Sequence, residues 1–186
     1  MCKLAYLLAW AMSEHDTESK RLSLEPSRQV IVLVDEIETH LHPRWQRTVL
    51  PSLLRAIQGW RELDVQLIVA THSPLVLTSI EPLFDPEHDA LWKLDLVVGK
   101  VEIERDVWHK RGDALMWLES DVFDETTPYS REAEAAMKAA AALMRDPDAT
   151  QEQADELRTK LREALADTDP FWLNWRAWRR SRGWSP

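Results

Sequence analysis

Val30-Ile31-Val32-Leu33-Val34-Asp35-Glu36 decides the fold of this chain. An unbroken run of β-branched residues and leucine reads as a strand buried on both faces, as in a parallel sheet. Two carboxylates stand where the strand ends, the edge at which open α/β sheets bind ligands. A second apolar run, Val65-Gln66-Leu67-Ile68-Val69-Ala70, opens into Thr71-His72-Ser73-Pro74. With the two runs as parallel neighbours, Asp35, Glu36 and His72 share one edge, a constellation suited to a magnesium-bound nucleotide.

Upstream, Leu4, Leu7, Leu8 and Ala11 recur at helical spacing, so residues 2 to 14 read as an amphipathic helix. Nothing precedes it to cap its amides. The expectation is a chain that starts in the middle of a domain; the plainer alternative is a short N-terminus that frays. Lys3 followed by Leu4 to Met12 imitates a signal peptide only weakly. Residues 13 to 29 are polar, contain Pro26 and read as a connection.

Downstream, Pro43 suits the first turn of a helix. Trp45, Val49, Leu53 and Ile57 space that helix, Pro51 should bend or interrupt it, and Gly59 closes it. Pro74 opens a short helix through Ile80. After an acidic, proline-containing loop over 81 to 89, Leu91–Val98 and Val101–Glu104 alternate around Gly99-Lys100. That pattern predicts a hairpin that finishes the sheet. Arg111-Gly112-Asp113 makes a turn before a short helix with Leu115, Trp117 and Leu118.

The last third is helical. Ser130 caps an alanine-rich helix to about Met144, and Asp146-Pro147-Asp148 breaks it. Thr150 with Gln153 forms a capping box for a helix burying Ala154, Leu157, Leu161 and Leu165. Asp169 caps a third segment containing Phe171, Trp172, Trp175 and Trp178, followed by arginines. Phe171, Trp175 and Trp178 share a stripe that packs on neighbouring helices. The alternative is an exposed surface for a partner protein or nucleic acid, with stacking rings beside arginines.

The chain has 186 residues, room for one sizeable core and a small appendage. A formal net charge of −9 argues against broad non-specific nucleic-acid binding. The single cysteine, Cys2, excludes an internal disulfide and suits a reducing, cytoplasmic setting. No apolar run approaches the roughly 18 residues of a membrane span.

Val30 to Glu36 is similar to the Walker B strand of ABC-type ATPases. Ile37-Glu38-Thr39-His40-Leu41-His42-Pro43 resembles their D-loop, in the form used by SMC-like and OLD-like proteins. Ala70-Thr71-His72-Ser73-Pro74 resembles the H-loop. The resemblance covers residues 1 to 125 and extends to AAA-grouped ATPases of Septu-like and retron-associated antiphage defence systems.

It implies an α/β fold: over 1–125 the C-terminal half of an ABC-type P-loop NTPase domain, a mainly parallel sheet with helices. Residues 126–186 would follow as a helical hairpin with a Trp/Arg-rich tail. ATP and Mg²⁺ are the implied cofactors. Asp35 would hold Mg²⁺ through a water, because Mg²⁺ prefers oxygen ligands and keeps most of its waters. Glu36 would act as general base or water-positioner and His72 would bond the γ-phosphate. Thr39 and His40 would reach nucleotide across a dimer interface. Implied partners are a second copy or a complementary ATPase half, and a nuclease; nucleic acid would be engaged only indirectly.

The chain departs from the family in what it lacks. Its glycines are Gly59, Gly99, Gly112 and Gly183, so it has no glycine-rich phosphate loop with its lysine, and no signature motif. A truncated gene, one half of a split ATPase, and a non-catalytic interaction module that kept the fold all fit this pattern. The chain alone is expected to be inactive. A rival reading combines the His40/His42 pair with Asp35, Glu36 and His72 into the metal centre of a hydrolase.

Overall fold

The computed structural model describes residues 2–60 and 63–185. They form two compact units, Met1–Thr126 and Thr127–Pro186.

The first unit opens with α1 (Cys2–Arg21). It is longer than the residues 2 to 14 expected, because no glycine or proline interrupts the chain before Pro26. Its last turn is held by a Glu18–Arg21 pair at 2.8 Å. Leu8 packs onto the core, whereas Tyr6, Leu7 and Trp10 on the same helix stay exposed. The side chain of Leu4 lies outside the described residues.

Strands β1 (Gln29–Val34) and β2 (Asp64–Val69) pair in parallel, with Val32 opposite Leu67 and Val34 opposite Val69. The helices α2 (Pro43–Gln58) and α3 (Pro74–Ile80) supply Val49, Leu50, Leu53 and Val76 to a core shared with Val34, Leu67 and Val69. The other face carries Ile31 and Leu33, 68% and 71% exposed, and Ile68. The expected strand buried on both faces is therefore buried on one. Alternation puts every second residue opposite the helices, and no described element covers that second face.

Pro43 begins α2, and the His42 ring accepts from the Arg44 amide at 3.2 Å. Pro51 does not interrupt α2, which runs to Gln58. Burial of Val49, Leu50 and Leu53 on both sides of Pro51 holds the turns together despite the lost amide donor.

The hairpin β3 (Leu91–Val97) and β4 (Lys100–Asp106) does not finish the parallel sheet; among the described residues it pairs only with itself. Its two-residue turn is Val98-Gly99, not Gly99-Lys100. Both residues take positive φ, 50° and 76°, as a type I′ turn demands, while Lys100 already pairs with Val97. Trp92, Leu94 and Leu96 lie opposite Arg105, Ile103 and Val101, and this face is exposed.

Past the hairpin, the buried Glu81 carboxylate at the end of α3 gathers three donors. The Arg111 amide donates at 2.7 Å, the Gly112 amide at 3.0 Å and Trp117 Nε1 at 2.6 Å. Gly112 has φ +90°, which only glycine adopts without strain. Asp113 caps α4 (Ala114–Leu118), placing Trp117 in this cluster beside Trp108, which stacks on Phe84.

The second unit consists of α5 (Arg131–Arg145), α6 (Gln151–Ala164) and α7 (Phe171–Ser181). Ser130 caps α5, the Thr150/Gln153 box caps α6, and Asp169 accepts from the Phe171 amide at 2.8 Å. Ala133, Ala136 and Ala140 let α5 approach Ala154, Leu161 and Leu165 closely, and Trp172 and Trp175 fill the rest of that core. The tail therefore packs, on a stripe rotated from the expected one: Trp172 and Trp175 are buried and Phe171 and Trp178 half-buried. Arg179 is buried too, donating to Asp155 and to the Ser185 carbonyl, each at 2.6 Å. Arg182 ties the end of α7 to the carbonyls of Asp146 and Pro147.

Candidate functional site

The parallel register brings the ends of β1 and β2 side by side. The Ala70 amide donates to the Val34 carbonyl at 2.9 Å, and the Ile37 amide to the Ala70 carbonyl at 3.4 Å. Asp35 and Glu36 on one segment, and His72 on the other, therefore leave the same carboxyl edge, and all three are exposed. Buried Ile37 pins the first segment to the core while its neighbours face water.

Within the first segment, Glu36 has φ +46° and His40 φ +62°. Left-handed backbone is disfavoured for residues with a Cβ and collects at functional loops. The Thr39 hydroxyl donates to Glu36 Oε2 at 2.8 Å and its amide to the Glu36 carbonyl at 2.9 Å, which fixes this turn. Thr39 and His40 are both exposed.

A residue absent from the sequence-based site joins the two segments. Glu38 accepts from the Thr71 hydroxyl at 2.6 Å and from the His72 amide at 2.5 Å. Ser73 then donates to Gln46 Oε1 at 2.8 Å, and Gln46 donates to the Leu41 carbonyl at 3.1 Å. Ser73 also caps α3 through the Val76 amide. Glu38, Gln46 and Ser73 position the edge; only proximity in the fold reveals them, since Glu38 and His72 lie far apart in sequence.

The donor set fits Mg²⁺ better than a transition metal. Asp35 and Glu36 offer hard oxygens, and the Asp35 carboxylate makes no hydrogen bond among the described residues. The rival metal centre is not assembled: His42 is engaged as the cap of α2. Among the described residues, Asp35, Glu36, His40, His42 and His72 form no group with ligand spacing. The triad that does have such spacing, Asp85, Glu87 and His88, is an exposed turn. There the Glu87 amide first, and then the His88 ring, hold the Asp85 carboxyl below its ordinary value.

Comparison with known proteins bears on this edge directly. Residues 1–78 match the family described as "AAA domain, putative AbiEii toxin, Type IV TA system". The chain is 48% identical over 50 residues to "Retron Vc95 probable ATPase" of Vibrio cholerae serotype O1 biovar El Tor, which covers 27% of this chain and 9% of that protein. It is 45% identical over 51 residues to "Retron Ec83 probable ATPase" of Escherichia coli, covering 27% of this chain and 8% of that protein. It is also 42% identical over 50 residues to "Septu protein PtuA" of Bacillus mycoides (strain KBAB4), 27% of this chain and 6% of that protein. The resemblance to ATPases of antiphage systems is thus shown, and the match spans less than a tenth of the relatives' length. Among the described residues, no helix is long and apolar enough to cross a membrane.

Proposed function

We propose that this chain supplies the metal-holding and water-activating edge of an ATP site, in the manner of the C-terminal half of an ABC-type domain. The observation that carries the reading is the parallel β1–β2 pair, whose ends bring Asp35, Glu36 and His72 to one edge tied by Glu38. The match over residues 1–78 and the likeness to defence ATPases support it. The protein works in the cytoplasm, in a multi-component defence system with a nuclease among its partners.

In this reading Asp35 would hold Mg²⁺, and Glu36 would orient the attacking water and accept its proton. His72 donates a hydrogen bond to the terminal phosphate. Mg²⁺, when bound, neutralises charge on the phosphate oxygens. Thr39 keeps the Glu36 carboxylate in place, and Glu38 keeps His72 beside it. Thr39 and His40 also reach a second subunit in a dimer.

The phosphate-binding amides and lysine come from a complementary ATPase half. That half also covers the apolar faces that β1–β2 and the hairpin leave exposed, since patches of this kind mark interaction surfaces. The same faces would serve a non-catalytic interaction module, and turnover separates the two.

Reconstitution tests the proposal. This chain, mixed with a fragment of a related ATPase carrying the glycine-rich loop, its lysine and the signature, should bind and hydrolyse ATP with Mg²⁺. In that complex Glu36→Gln should keep ATP binding and lower turnover by roughly 10²–10⁴-fold. Asp35→Ala should weaken Mg²⁺-dependent binding. Wild-type turnover by Glu36→Gln rejects its role as base. In equilibrium dialysis the chain alone should not retain ATP, because Asp35, Glu36 and a net charge of −9 repel an uncradled nucleotide. Micromolar, stoichiometric binding by the chain alone would overturn the division of labour.

A further inference from the structure

The second unit holds a cleft between α6 and α7 that nothing above uses. Arg158 and Arg162 from α6, Arg176 from α7, Asp167 from the connection, and Trp172 and Trp175 line it. It is small, about 40 Å³, and open to solvent on one side. Arg158 and Arg162 stand one turn apart on the same helix face, where like charges repel. None of the three arginines makes an ion pair or a hydrogen bond among the described residues. Arg179 next to them is different: its charge is already matched by Asp155.

Two further features mark the cleft, one of charge and one of hydrogen bonding. Burial first, and then the charges of Arg162, Arg179 and Arg176, hold the Arg158 guanidinium below its ordinary value; Asp155 offsets this only in part. Trp175, 1% exposed, has an indole Nε1–H with no acceptor among the described residues, as have Trp178 and Trp108, while the neighbouring Trp172 donates its own to the Ala166 carbonyl at 2.8 Å. A buried indole donor ordinarily finds a partner.

The chemistry of a ligand that suits the cleft follows from its charge. Three guanidinium groups and one carboxylate leave two positive charges. A carboxylate ligand would neutralise one of them, and a phosphate monoester, whose second pKa is about 6, neutralises both near neutral pH. Guanidinium forks match phosphate oxygens in pairs. The buried rings of Trp172 and Trp175 cannot stack on a base, so recognition falls on the anion itself.

We propose that this cleft binds a phosphate dianion, held by Arg158, Arg162 and Arg176. The proposal is independent of the ATP-site reading, since it involves neither the first unit nor hydrolysis. The phosphate could be free, part of a mononucleotide, or the end of a nucleic-acid strand, and the probes below separate these sources.

Titrations followed by NMR of the Trp175 indole N–H, with the full chain, provide the test. The probes are inorganic phosphate to about 10 mM, AMP, and one oligonucleotide with either a 5′-phosphate or a 5′-hydroxyl. Saturable shifts are expected with at least one phosphate-bearing probe. Arg162→Gln with Arg176→Gln should weaken binding by roughly tenfold per arginine, and Asp167→Asn should tighten it. All three residues are exposed, so an unchanged melting profile is expected and shows the fold intact. Tighter binding of the 5′-phosphorylated strand than of AMP assigns the source as a strand end; equal binding of phosphate and AMP assigns a free phosphate. No saturable shift with any probe, saturable binding of both strands with equal affinity, or undiminished binding by the double variant overturns the proposal.

Discussion

The two units of this chain handle apolar surface in opposite ways. In Thr127–Pro186 the large apolar side chains turn inward, Leu173 excepted among the described residues: Trp172, Trp175, Leu161 and three alanines close a core with its own caps. In Met1–Thr126 one sheet shows Ile31, Leu33 and Ile68 to solvent, the other shows Trp92, Leu94 and Leu96, and α1 shows Tyr6 and Trp10. Composition does not separate the units, since the strands of the first and the helices of the second are alike amphipathic. What separates them is the number of layers. A three-helix unit closes on itself, whereas a two-stranded parallel sheet needs helices on both faces and strands at its edges. The first unit is organised around a polar edge, and no described element covers the second face of its sheet.

The largest effect that could break this contrast lies in the second unit. Trp175→Ala removes its most enclosed ring and should cost about 3–5 kcal/mol, melting the three helices while β1–β2 persists. Loss of both units in one transition, followed by circular dichroism and strand amide signals, would show that the second does not stand alone. A smaller effect is expected at Glu81 in the first unit. Glu81→Ala strands the Arg111 and Gly112 amides and Trp117 Nε1. Only the Trp117 donor is buried, and stranding it costs roughly 1–3 kcal/mol, so an unfolding free energy lowered by about that much checks the role of this hub. The smallest effect sharpens the contrast most. Leu33→Gln and Leu94→Gln should change stability by less than about 0.5 kcal/mol, as at any exposed position, and raise solubility. A large destabilisation would mean that these faces are already covered in the isolated protein.

The sequence made the local elements legible, because their causes are local. Pro43 and Pro74 open helices, Ser130 caps one, and the Thr150/Gln153 box forms as its spacing requires. The grouping of Asp35, Glu36 and His72 at one edge follows from two apolar runs pairing in parallel. What stayed hidden depends on distant partners. Apolar composition alone cannot say whether Ile31 and Leu33 meet a helix or water, so the one-sided burial of β1 was unreadable. The hairpin's separation from the parallel sheet is likewise a matter of which edges meet. The roles of Glu38, Glu81 and Arg179 are of this kind. Each is defined by groups more than twenty residues away, at Thr71 and His72, at Arg111–Trp117 and at Asp155.

The Glu38 carboxylate also sets a clock on the edge it joins. The His72 amide is held by a side chain instead of a strand ladder, so its proton is released to solvent only when the two segments part. Its hydrogen–deuterium exchange rate is thus a direct gauge of that opening. Glu38→Gln, which keeps the shape but weakens a charge-assisted bond, should speed exchange at His72 far more than at Val69 inside β2. Equal acceleration at both would mean that the edge opens only when the strand pair itself comes apart.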